Sequence, residues 1–295
     1  MAVPIIESSN TATSLAASSV VITKPTSLAV NDLLLAVIGS YDAGALGRTH
    51  TTPSGWTVIQ KSTTTAGRGA AYYKVADAAD VAAANFTFAM SGVLTAMTGY
   101  LARVSTYVAS NPVSISEIDN NATTSGTSAS FTTALTPLSP NSLAVFMYAR
   151  CSTSYDTVFP SWSAYSSTPS VTWTEVADLY SVDGISDGLG MGIATATINS
   201  LSQITARAAT LNQATTQDEF SIALLVNGAF DTTGTNALHS VSPTLFSQNG
   251  TCGTIGTNAL HSVSPTLFSQ SGTSVSQTAW INPDKPTTTW TNPNK

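Results

Sequence analysis

Residues 27–41 read SLAVNDLLLAVIGSY, and residues 139–152 read SPNSLAVFMYARCS. Both carry a short apolar run behind a polar turn, and the longest run, DLLLAVI at 32–38, has the length of a strand. Three more pairs follow in the same order. GWTVIQKS (55–62) matches TWTEVADL (172–179), RGAAYYKVADA (68–78) matches GLGMGIATATI (188–198), and TAMTGYLARVS (95–105) matches FSIALLVNGAF (220–230). Offsets stay near 115–125 residues, which predicts a tandem duplication split near Asn111–Pro112.

Each half offers short apolar or alternating runs bounded by Gly, Pro, Ser, Asn and Asp, the pattern of strands and turns. Helical periodicity is nearly absent; ADAADVAAAN (76–85) has helix propensity but is long enough only for a turn of helix in a loop. The expected fold is all-β: tandem jelly-roll-like antiparallel β-sandwiches at 1–111 and 112–230, then an extended repeat-containing C-terminal tail at 231–295. Trp56 and Trp173 fall at matching places and are the expected core anchors. Tyr72, Phe86, Phe88 and Tyr100 read as core or cross-strand aromatics.

Charged residues make up 9% of the 295, against about 25% in an average soluble domain. That balance suits extracellular or virion β-proteins better than a cytosolic metabolic enzyme. Net charge is −6 with the ten Lys and Arg scattered singly, so nucleic acid is not an expected partner. No apolar run reaches the ~18 residues of a membrane-spanning helix, and the opening MAVPIIESSN lacks a cationic, apolar leader. Membrane insertion and export are therefore not expected. Cys151 and Cys252 are expected to remain free thiols.

The runs NDLLLAV (31–37), PSGWTVIQ (53–60), AAYYKVADAAD (70–80), NFTFAMSG (85–92) and TGYLARV (98–104) carry a resemblance. In order and spacing they resemble a group of tailed-bacteriophage and prophage minor tail or tail-fibre-like proteins. NSLAVFMYA and TWTEVADL are similar to the second half of that group, and the resemblance covers about residues 15–230. Its motifs are structural. It implies a structural role in the virion without fixing which part. The leading expectation is a non-enzymatic tail or tail-fibre component acting in assembly and host attachment. The implied partners are other virion proteins, further copies of this chain and a host-surface glycan, with no cofactor. A capsid decoration protein or head fibre is the alternative within that class. A carbohydrate-binding module and a depolymerase are the alternatives outside it.

The tail is itself repetitive. GTNALHSVSPTLFSQNGT (234–251) returns as GTNALHSVSPTLFSQSGT (256–273), seventeen of eighteen letters at a period of 22. A Trp-x-Asn-Pro-x-Lys pattern follows twice, from Trp280 and from Trp290. One such segment cannot bury its apolar side alone. Leu238, Val241, Leu245, Phe246, Leu260, Val263, Leu267, Phe268, Trp280 and Trp290 are therefore the expected assembly contacts.

Catalytic motifs are sparse. No H-E-x-x-H, G-x-S-x-G, P-loop or C-x-x-C pattern is present. His239 and His261 are one repeat position, and with His50 they complete the histidines. Asp178, Asp183 and Asp187 in DLYSVDGISDG read as a polar hairpin loop, with calcium the competing reading. GLGMG (188–192) is a glycine pattern inside a strand, not a nucleotide loop. Glu175 and Asp178 beside Trp173 are the least poor candidates for a paired-carboxylate site. The expectation is no catalytic residue, no metal and no cofactor.

Overall fold

The computed structural model describes residues 3–44, 47–63, 66–131, 134–138, 140–152, 161–183 and 187–228. The repeat tail, with Cys252 and the ten assembly residues named above, lies outside them. Met1–Gly234 form one compact unit.

The first half forms β1 (Ile5–Thr23), β2 (Leu33–Tyr41), β3 (Thr57–Thr63), β4 (Gly67–Val75), the one-turn helix α1 (Ala78–Ala82) and β5 (Asn85–Ser105). The second forms β6 (Val113–Phe131), β7 (Ser142–Ser152), β8 (Trp162–Thr168), β9 (Thr174–Asp183), β10 (Asp187–Ile198) and β11 (Ala206–Val226). All pairing between them is antiparallel. The Ala-rich stretch becomes α1 because Asp77 and Asp80 form a reciprocal capping box around its first turn.

Sheet 1 runs β1-β5-β2-β4-β3, and sheet 2 runs β6-β11-β7-β10-β9, with β8 pairing off β11. The orders coincide when β1, β5, β2, β4 and β3 are equated with β6, β11, β7, β10 and β9. Local features coincide as well. Asn31 and Asn141, two residues before the apolar runs, both hold the left-handed conformation, with φ of 71° and 62°; Asn tolerates it better than most residues. β3 skips Ile59 in its ladder with β4, and β9 skips Val176 in its ladder with β10. A shared bulge at matching positions is a specific inheritance.

The ladders also correct two of the four sequence pairings. Leu33 pairs with Val75 and Val104, while Leu143 pairs with Thr197 and Val226. Both strands therefore align at an offset of 122, not 120 and 125. Apolar letters alone cannot fix register, because similar side chains recur on each face of a buried strand.

Each half supplies one sheet, and the two inner faces meet over a shared core, so the expected pair of self-contained sandwiches becomes a stack. Leu33, Leu35 and Val37 from β2 and Leu143, Val145 and Met147 from β7 lie in that shared core. The alternate residues Leu34, Ala36 and Ile38 enter a second core outside sheet 1, and Ala144, Phe146 and Tyr148 a third outside sheet 2. β2 and β7 are consequently buried at every position. Their sequences run apolar without alternation because both faces are covered.

The outer cores are closed by the long strands folding back. β1 changes register between Ala17 and Ser19, with Ala16 at φ 46°. Asn10 Nδ2 then donates to the carbonyls of Thr23 and Lys24 at 3.2 and 2.8 Å, although thirteen straight residues would span about 43 Å. The same bend brings Phe86 and Phe88 onto Trp56, edge to face at 5.7 and 5.2 Å. Trp56 is buried there. Trp173 occupies the matching place before β9 but is only half-buried, packing on Phe146 at 5.7 Å. The buried tryptophan of the second half is Trp162, at the start of β8. It stacks on Tyr148 at 5.4 Å, and the Arg150 guanidinium lies over it. Among the described residues, the first half has the single His50–Met90 bridge where β8 pairs β11. Trp162 therefore has no counterpart that a comparison of halves would reveal.

Across the shared core β1 faces β9, β5 faces β10, β2 faces β7, β4 faces β11 and β3 faces β6. Translated through the equivalence, each contact maps onto its own reverse. The halves meet as the subunits of an isologous dimer do, about a local two-fold. Their faces differ in size. The inner positions of β4 begin Gly67, Gly69, Ala71, and Phe220 on β11 fills the space above them. A Cβ on Gly69 would lie 2.6 Å from the Phe220 ring, and one on Gly67 2.9 Å from it. At the related contact the large residues come from the second half again, with Leu189 and Met191 of β10 3.1 Å from a Cβ placed on Gly39.

Gly69→Ala is therefore expected to lower unfolding free energy by about 1–3 kcal/mol through overpacking. Phe220→Leu in the same chain should recover part of that loss. Urea unfolding of the two single variants and the double variant checks this, and a purely additive outcome contradicts the contact.

Candidate functional site

Residues i and i+3 of a regular strand point to opposite faces. Glu175 and Asp178 nevertheless share one, because Val176 is the bulged residue between Glu175 and Ala177. Their carboxyl groups come within hydrogen-bonding reach of each other. Both Asp178 oxygens also accept from the Trp162 backbone N–H at 3.1 Å, which ties β9 to β8. The Tyr165 hydroxyl completes the group, held over Gly192, where a Cβ would come within 2.3 Å of it.

Partial burial raises the Asp178 carboxyl to about 7; the Trp162 N–H opposes this, and the Glu175 carboxyl adds to it. Burial and the two carboxyls push the Tyr165 phenol upward. Asp178 can therefore keep its proton up to about neutral pH and donate it in a hydrogen bond to the Glu175 carboxyl. Two carboxyls sharing a hydrogen bond leave no gap for a glycosidic bond or an attacking water, which need roughly 5–9.5 Å of separation. The sequence candidates are thus brought together, but not at a glycosidase spacing.

The hairpin aspartates stand farther along the strands than this pair. Asp178 lies opposite Gly192, while Asp183 lies opposite Asp187, five rungs along the ladder. The backbone therefore does not gather Asp178 with the other two into one calcium loop. Among the described residues no three His, Cys, Asp or Glu side chains gather as metal ligands.

A second polar group sits at the end of sheet 1. His50 Nε2 lies 3.2 Å from Ser40 Oγ, which also reaches the Arg68 carbonyl at 3.2 Å. Burial pulls His50 down to about 4, so its ring is neutral near pH 7. Asp42 faces Arg48 and Arg68 at 3.5 and 3.9 Å, and no hydrogen-bond partner stands at His50 Nδ1. A nucleophile needs a base oriented by a third group; Ser40 is 1% exposed and out of reach of substrate. Cys151 is buried as a free thiol, and burial, then Asp218, raises it well above its ordinary value. His239 and His261 lie outside the described residues.

The duplication explains how both groups are held. Lys61 and Asp178 are equivalent, two residues beyond the shared bulge. Lys61 Nζ donates to the His50 carbonyl at 2.7 Å, whereas Asp178 accepts from the Trp162 N–H. In both halves the bulged strand grips the backbone of the segment crossing to β5 or β11. Comparison with known proteins found no matching family model, no matching protein sequence and no matching solved structure.

The Asp178 shift has a definite sign. Between about pH 4 and 7 the unfolded chain gives up this proton while the folded chain keeps it. Its contribution to stability therefore declines as pH rises through that window and levels off above it. Asp178→Asn removes this titration. The melting temperature of wild type minus that of Asp178→Asn should fall from pH 4 to pH 7 and then stay flat; a constant difference contradicts the raised Asp178 carboxyl.

Proposed function

We propose that this chain is a structural protein of a tailed-phage virion, placed in the tail or tail fibre, with other virion proteins and further copies of itself as partners. The observation that carries this reading is the internal two-fold: two duplicated sheets are locked over a shared core, in a chain with only 9% charged residues. Such a body is a rigid spacer whose side chains are committed to packing. The resemblance of residues 15–230 to phage tail and tail-fibre-like proteins supports the same reading. Each half, with its two long paired strands folded over the outer core, is a jelly-roll-like unit in this proposal. The repeats at 234–273 and the tryptophans at 280 and 290 then serve as assembly contacts. Exposed apolar segments of this kind gain hydrogen bonds and cover by docking on a partner.

Mass spectrometry and immunogold microscopy of purified phage particles encoding the chain test this. Label on the tail is expected. Label on the head lattice replaces the tail reading with capsid decoration, and absence from particles overturns the virion reading. A chain truncated after Phe230 should fold but incorporate at less than a tenth of the normal level.

A further inference from the structure

The local two-fold makes each corner of the sandwich a control for the other. At the β3–β6 corner, Tyr73 and Val75 stand at the end of β4 on its inner face, and Tyr73 packs partly buried against the shared core. Their equivalents at the β1–β9 corner are Thr195 and Thr197 of β10. They continue the inner-facing series Leu189, Met191, Ile193, so two threonines, one buried and one exposed, stand where the other corner has Tyr and Val. The sheets do not close there. A cleft of about 580 Å³ opens between the start of β1 and β9. It joins a second of about 630 Å³ under the β8–β9 loop through Leu143, Thr174, Thr195 and Thr197.

Among the described residues, no charged one lines either cleft. Thr174, Thr195 and Thr197 line the first cleft together with Ile6, Leu143 and Val176. We infer that this cleft binds an uncharged oligosaccharide. Side-chain hydroxyls meet the sugar's hydroxyl groups, and the apolar surfaces meet its C–H faces. A phosphate, a nucleotide or an acidic sugar would find no counter-charge. An extended peptide fits less well. The polar groups facing the cleft are side chains standing off the inner faces, whereas the backbone groups of β1 and β9 lie in the planes of their own sheets. The volume is that of an ordinary ligand site. The inference goes beyond the proposal above and rests on it only for the source of the sugar, a host surface.

Isothermal titration of the full chain tests it, with maltohexaose, cellohexaose and chitohexaose as neutral probes. An oligosialic acid and a Ser/Thr-rich hexapeptide serve as competitors. At least one neutral probe should bind. Thr195→Tyr with Thr197→Val copies the closed corner into the open one and should weaken that binding at least tenfold. Thr197→Lys, at an exposed position that leaves packing intact, should weaken it similarly and keeps the test valid if the filled variant misfolds. The inference is overturned if no neutral probe binds, if the sialic acid or the peptide binds more tightly, or if binding survives in the folded variants. Failure here leaves incorporation into particles untouched, so the two readings fall separately.

Discussion

Everything else in this fold depends on Phe220 lying flat in a socket made by Gly67 and Gly69. The two sheets approach closely only because the first half carries small residues on its inner β4 face and the second carries large ones on β11 and β10. A pair of identical first halves would put Thr98 against Gly69 and leave a void. A pair of identical second halves would put Phe220 against Met191 and collide. The size difference makes the two halves partners for each other, and it turns a two-fold arrangement into a directed one. Close packing makes this selective, since interiors tolerate neither voids nor overlap.

Once the halves are locked, equivalent positions are free to take different roles. The bulge after Val58 and after Glu175 is the same structural device. In the first half it presents Lys61 to a carbonyl; in the second it presents Asp178 to an amide and sets it beside Glu175. At the sandwich corners, Tyr73 and Val75 close one side while Thr195 and Thr197 leave the other open. The chain thereby differentiates its two ends without changing strand order.

Much of the architecture was legible in the letters. The all-β class follows from strand-length apolar runs bounded by turn residues. Register was not legible, because residues such as Met191 and Ile193 satisfy a buried strand at more than one offset. The stacking of one sheet per half was also hidden, although β2 and β7 contain the clue: runs with no polar alternation belong to strands covered on both faces. Glu175 and Asp178 were picked for their nearness to Trp173, but their spacing of three disfavours a shared face. Only the bulge at Val176, marked by no distinctive residue, brings them together. The open corner was invisible until the ladders showed which residues Thr195 and Thr197 replace.

The two halves are thus two faces of one core, and the proposed virion role asks of them mainly that they stay together. Hydrogen exchange monitored by mass spectrometry tests this most directly, on β2 at Leu33–Tyr41 and β7 at Ser142–Ser152. If Phe220 and its glycine socket join the halves, both strands exchange through the same global opening, with equal free energies and a common response to urea. If β7 exchanges through a separate, lower-energy opening while β2 stays protected, the halves fold independently and the keyed interface is not what holds them.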